Sequence, residues 1–145
     1  MTIFIGVLLL VVIVVVGGMF QMLPSAGDKA LARQRDHATA CGLRALLRAA
    51  PDWLGLPPGQ GLVGQYHWIQ ASRQDAQGRW CWRADLDRWQ REDAQAAAAA
   101  PWPTPAPAGW LGVDVSAHEV VVYWQEDGRT SSVDQMLTLL RQVAA

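Results

Sequence analysis

Hydrophobic and polar positions divide the chain into three unlike stretches. From Thr2 to Leu23 no residue is charged, and Ile3 to Val16 is a run of Ile, Val, Leu and Phe broken only by Gly6. A helix of about 22 residues spans roughly 33 Å, close to the hydrocarbon thickness of a bilayer. The remaining ~120 residues make too small a domain to cover such a helix on every side. The pattern predicts a transmembrane helix over residues 1–23. Ser25-Ala26-Gly27 offers the small residues of a signal-peptide cleavage site. However, no Lys or Arg precedes the run, and the run is longer than an ordinary signal core, which favours an uncleaved anchor. The first cysteine, Cys41, is too distant for a lipoprotein attachment site. The adjacent Gly17 and Gly18 are not spaced as helix-packing small residues are.

Residues 24–42 form a charged juxtamembrane arm, for which a helix is expected from about 28 to 41. Asp28 is placed to cap its start and Gly42 to end it. Its apolar stripe is thin, Leu31 and Cys41 among alanines; Arg33 and Arg35 can face lipid phosphates, but a solvated face that fixes topology is the commoner role of such charges, and specific anionic-lipid binding needs a denser basic cluster.

Residues 43–145 alternate and turn in the manner of a small sheet domain. Leu43, Ala45 and Leu47 alternate with Arg44 and Arg48, which favours a short strand over a continued helix. Pro51 to Gly61 reads as a loop that tucks Trp53 and Leu54 onto the core. Residues 62–72 and 79–84 read as a β-hairpin closed by residues 74–78, with Tyr66, Trp68, Trp80 and Trp82 on one face. Residues 85–100 suggest a helix running into alanines. Pro101, Pro103, Pro105 and Pro107 then stiffen an Ala/Pro-rich surface spacer at 94–109. Strands are expected over 110–115 and 120–125, with Val120, Val122 and Trp124 pointing one way. A final helix running to about Val143 is expected, with Ser132 and Gln135 as a capping box and Val133, Met136, Leu137, Leu140 and Val143 on one face. The expected fold class is α+β: one N-terminal transmembrane helix, then a small antiparallel-sheet domain with a C-terminal helix.

Charge sharpens this picture. Among 145 residues, 12 Lys plus Arg face 13 Asp plus Glu, which excludes a basic nucleic-acid coat and an acidic disordered tail. Lys29, Arg33, Arg35, Arg44 and Arg48 follow the apolar run while only the α-amino group precedes it. The positive-inside rule therefore predicts a periplasmic N-terminus and a cytoplasmic domain at a bacterial inner membrane.

Candidate chemistry is sparse. Cys41 and Cys81 are 40 positions apart and match no metal or redox spacing, and His37, His67 and His118 are scattered, so neither a metal site nor a cofactor is expected. Residues 79–89 interleave Arg with Trp as single-strand binders do. Asp85 and Asp87 cancel much of that charge, so a core reading is preferred and no nucleic-acid partner is expected. Gly55 to Gly64 lacks the Lys and the helix of a phosphate loop, and Ser131 and Ser132 have no His nearby in sequence.

An apolar N-terminal helix, a Pro24-Ser25-x-x-x-Lys29 arm and Gly42-Leu43 opening a Trp-rich domain together resemble a group of small single-pass membrane proteins of gamma-proteobacteria. Tyr66-His-Trp68, Trp80-Cys-Trp82 and Val122-Tyr-Trp-Gln-Glu126 extend the likeness. Some of that group carry the label of YajC-like preprotein translocase subunits. The Val-Val-Thr-x-Gly-Gly-like entry to the translocase subunit's β domain is missing here, so no functional residue carries over. The resemblance brings no activity with it; an accessory role is expected instead from one anchor, a compact domain with no catalytic constellation and a Trp-rich surface that exceeds what the core can absorb. The expected function is a non-enzymatic anchored accessory or interaction protein whose partners are the lipid bilayer and a membrane protein, with Trp53, Trp89, Trp102 and Trp110 as candidate partner-binding residues. The alternative is a tethered small-molecule-binding domain or enzyme with Tyr66, His67, Trp68 and Trp124 around an aromatic pocket.

Overall fold

A computed structural model describes residues 1–21, 23–71, 77–93 and 99–144. Helix α1 (Thr2–Gln21) is long and apolar enough to cross a membrane, and none of its Ile3–Phe20 window is buried by the rest of the chain. Helix α2 (Ala26–Ala40) follows. The helix cap is Ser25, not Asp28 as expected from the sequence. The Ser25 hydroxyl accepts the Asp28 N–H at 3.1 Å, and the Asp28 carboxylate accepts the Ser25 N–H at 3.0 Å, a reciprocal pair that needs the acid at the third helical position. Gly42, at φ +91°, ends the helix as expected. Gly42 N–H reaches Thr39 O at 3.1 Å and Leu43 N–H reaches Ala38 O at 2.9 Å, which directs the buried Leu43 back onto the core.

Six strands form one antiparallel sheet: β1 (Arg44–Ala49), β2 (Leu62–Ile69), β3 (Gly78–Arg83), β4 (Arg88–Arg91), β5 (Trp110–Val115) and β6 (Glu119–Trp124), in the order β1-β2-β6-β5-β3-β4. Helix α3 (Thr130–Ala144) closes the chain and buries Val133, Met136, Leu137 and Leu140 at the expected spacing. The fold is α+β. One sheet face carries the main core. Tyr66, Val122, Val113 and Trp80 lie opposite one another on four successive strands, and α3 and Ala38 of α2 pack over them. Tyr66 meets Trp124 edge to face, with ring centroids 5.2 Å apart. The other face is covered by the turn Asp52–Leu54, whose Leu54 packs with Val63, Cys81, Val121 and Tyr123. Trp53 lies edge-on to Tyr123 at 5.2 Å, so the loop does carry both residues onto the core.

Four local expectations give way to longer-range pairing. Strands β2 and β3 do not form a hairpin: β2 lies between β1 and β6, and β3 between β5 and β4. Alternation specifies which face a residue takes but not which strand lies beside it. The four rings accordingly share one face, while β6 and β5 stand between the two pairs. Most of the expected hairpin turn lies outside the described residues. The helix expected over 85–100 is, at Arg88–Arg91, strand β4, turned back on β3 through Asp87 at φ 47°. Trp82 and Trp89 face each other there at 5.4 Å, a cross-strand contact that outweighs helix propensity; residues 94–98 lie outside the described set. The proline tract is not wholly a surface spacer, because Trp102 lies 4% exposed within ring-contact distance of both Trp80 and Trp110, at 6.4 and 6.1 Å. Finally, α3 begins before Ser132, whose hydroxyl donates to Asp127 rather than capping the helix.

Candidate functional site

The most elaborate polar structure among the described residues is the junction where α2 docks on the domain. Leu31, Gln34, Ala38 and Cys41 recur at helical spacing along α2, and Gln34 and Ala38 are fully buried. A buried amide must find partners, and Gln34 finds them in the turn between β6 and α3. Its Nε2 donates to Asp127 Oδ1 at 2.7 Å and to the Arg129 carbonyl at 2.8 Å, while its Oε1 accepts the Gly128 N–H at 3.1 Å. Gly128, at φ +74°, is needed there. The positive φ disfavours any side chain, and a Cβ would stand a tight 3.1 Å from Ala30 Cβ where the turn approaches the helix.

Beside this amide, Arg35 Nε donates to Glu126 Oε1 at 2.8 Å and Nη2 donates to Oε2, a two-pronged pair. Tyr66 OH donates to the same Oε1 at 2.8 Å, linking the pair to the main core. Burial, reinforced by the Glu126 carboxylate, pushes the Tyr66 hydroxyl well above its ordinary value, so it remains a donor. The guanidinium of Arg35 is likewise raised, first by its hydrogen bond to Glu126. Arg35 is therefore turned toward Glu126 and is not part of the solvated face expected of the arm. Asp127 gathers four donors: the Ser132 hydroxyl, the Arg129 N–H at 2.9 Å, the Gln34 amide and the Arg129 guanidinium at 3.0 Å. One turn further along α2, His37 Nε2 lies 2.8 Å from Asp134 Oδ1 of α3 and 3.7 Å from Cys41 Sγ.

The residues singled out from sequence are placed differently. Trp102 and Trp110, each 4% exposed, belong to the core and offer no docking surface. Both pack into the main core, Trp102 against the rings of Trp80 and Trp110. Trp53 and Trp89 are half-buried. Trp53 carries Arg79 over its ring at 5.9 Å, and Trp89 Nε1 donates to the Pro103 carbonyl at 3.0 Å. The aromatic pocket does not assemble from the four residues named for it. Tyr66, Trp68 and Trp124 belong to the main core face, whereas His67 points to the other face and places Nδ1 2.7 Å from Glu119 Oε1. In the Arg79–Trp89 segment, Trp80 is core and Arg79 pairs with Asp114 at 3.2 Å, as the core reading requires.

Sequence reasoning passed over Gln34, Glu126, Asp127 and Asp134. A lone glutamine at helical spacing with Leu31 and Ala38 was a readable signal for Gln34, and His37 with Cys41, four apart on an expected helix, was another. The carboxylates come from 91 to 97 positions away, beyond the reach of any local pattern. No protein family, no curated protein and no solved structure matches the chain, so function is read from this geometry.

Proposed function

We propose that this protein is a non-enzymatic, single-pass accessory protein of a bacterial inner-membrane complex, with α1 as the anchor and the sheet domain on the cytoplasmic side. The observation that carries the proposal is the docked arm. Four residues past α1, α2 begins, and it is held to the domain by Gln34, Ala38 and the Arg35–Glu126 pair. An enzyme acting on a diffusing substrate works as well on a loose tether. Interring an amide and an ion pair to hold the arm makes sense when the height and orientation of the domain above the bilayer matter, as they do for a module that meets a membrane protein. Lys29, Arg33, Arg44 and Arg48 support the cytoplasmic placement by the positive-inside rule.

Mild-detergent purification of the full-length protein from its native membrane tests this reading. A membrane protein recovered in fixed stoichiometry, and lost when the arm is undocked by Arg35→Met with Gln34→Ala, is the expected result. Recovery of the chain alone overturns it. A periplasm-active reporter fused to the C-terminus should stay silent, and a strong signal would reverse the orientation.

A further inference from the structure

We propose that His37, Cys41 and Asp134 form a binding site for a borderline-soft divalent cation of the Zn²⁺ type, clamping α2 to α3. Nothing in this inference depends on the accessory role proposed above. His37 and Cys41 are four apart and share one face of α2, while Asp134 comes from the early part of α3. Their donor atoms, Nε2, Sγ and Oδ1, all lie within 4.8 Å of one another. An imidazole nitrogen, a thiolate sulfur and a carboxylate oxygen form a donor set suited to zinc, and three protein ligands leave a fourth position for water or an incoming group.

The geometry favours an ion over a simple hydrogen-bonded cluster. Both neighbours converge on one nitrogen, Asp134 at 2.8 Å and Cys41 at 3.7 Å from His37 Nε2. That atom has either one proton or one lone pair, so it cannot make a full bond to each. A cation at the centre takes a lone pair from all three. Tetrahedral zinc with ordinary bond lengths separates N from S by about 3.6 Å and N from O by about 3.3 Å. The His37–Cys41 distance already matches, and the exposed Asp134 side chain is the ligand that must shift, away from the nitrogen and to within reach of the sulfur's side of the shell.

The scaffold is firm on the α2 side. Cys41 is the last residue before the Gly42 turn, whose two backbone hydrogen bonds hold it, and Ala38 beside it is fully buried. Access is open, since the side chains of His37 and Asp134 are 34% and 61% exposed. On binding, the Cys41 thiol gives its proton to solvent and the thiolate enters the coordination shell.

Cobalt titration of the reduced, chelator-treated full-length protein in detergent micelles tests the site. The expected result is a thiolate-to-cobalt charge-transfer band that saturates at one ion per chain and is discharged by Zn²⁺. Cys41→Ser should abolish the band. His37→Ala and Asp134→Ala should each weaken binding by at least about tenfold. Cys81→Ser should leave it unchanged, because Cys81 is buried on the opposite sheet face and its Sγ donates to the Leu54 carbonyl. A second readout needs no variant: Zn²⁺ should slow maleimide labelling of Cys41 by at least about tenfold. No band in the parent protein, a band that survives Cys41→Ser, or no protection of Cys41 overturns the site.

Discussion

Arg35 and Glu126 stand 91 positions apart in the chain and meet through two parallel hydrogen bonds, with Tyr66 OH as a third donor to the same carboxylate. The pair is unequally buried. The Glu126 side chain is 5% exposed and that of Arg35 is 30%. Removing the more exposed partner therefore strands the less exposed charge. Arg35→Met should cost roughly 2–3 kcal/mol, somewhat below the value for a fully buried pair. Adding Glu126→Gln should recover more than half of that loss. Thermal unfolding of the four proteins of this cycle in micelles measures both terms, and simple additivity would show that the two residues act independently.

Acid should loosen the same junction. Burial works against ionisation of Asp127, but the Ser132, Arg129 and Gln34 donors outweigh it and hold the carboxyl at about 2, below its ordinary value of 3.8. A carboxyl depressed on folding contributes its stability in full above the unfolded pKa and loses it as pH falls through the folded one. The difference in melting temperature between parent and Asp127→Asn should therefore be constant above about pH 5 and shrink between about pH 4 and 2. A difference that is flat down to pH 2 would remove Asp127 from the account.

Trp102 tests whether the proline tract is structural. Its ring lies between those of Trp80 and Trp110, and truncation to Ala leaves a large void that neighbouring rings cannot fill. Loss of about 3–5 kcal/mol is expected for Trp102→Ala by chemical denaturation. Trp53→Ala, at a half-buried position on the opposite face, should cost clearly less. Equal effects would mean that the tract is not part of the core.

Gly112 marks where the 52–54 turn presses on the sheet. A Cβ there would collide with Leu54 Cδ2 and come within 3.0 Å of the Trp80 carbonyl and 3.1 Å of Trp53 Cζ3. Because one of these neighbours is backbone, relaxation is limited, and Gly112→Ala should destabilise by about 1–3 kcal/mol. Pairing it with Leu54→Ala should relieve part of the clash, a non-additivity that a double-mutant cycle detects.

Much of this architecture was legible because it is local. The uncharged run before Leu23, the period-two alternation of Tyr66 with Trp68 and of Val120 with Val122, and the 3.6-residue spacing of Val133, Met136, Leu137 and Leu140 each depend only on neighbours in the chain. They determined that there is an apolar helix, which face β2 and β6 bury and which side of α3 packs. Strand neighbours were a different matter. Tyr66 and Trp80 suit the same face whether their strands touch or are separated by β5 and β6, and hydrogen bonding between distant segments chose the second arrangement. Arg88–Arg91 became a strand because β3 offered it an edge and a Trp–Trp contact, and Trp102 became core because the sheet left room between two other tryptophans. At the arm the same division holds. Spacing determined that α2 is a helix with one thin face, but Gln34, Arg35 and His37 acquired their partners only when the turn and helix after β6 folded back beside them. Polar pairing of this kind depends on distances of a few ångströms between residues over 90 positions apart, and only the tertiary structure sets those distances.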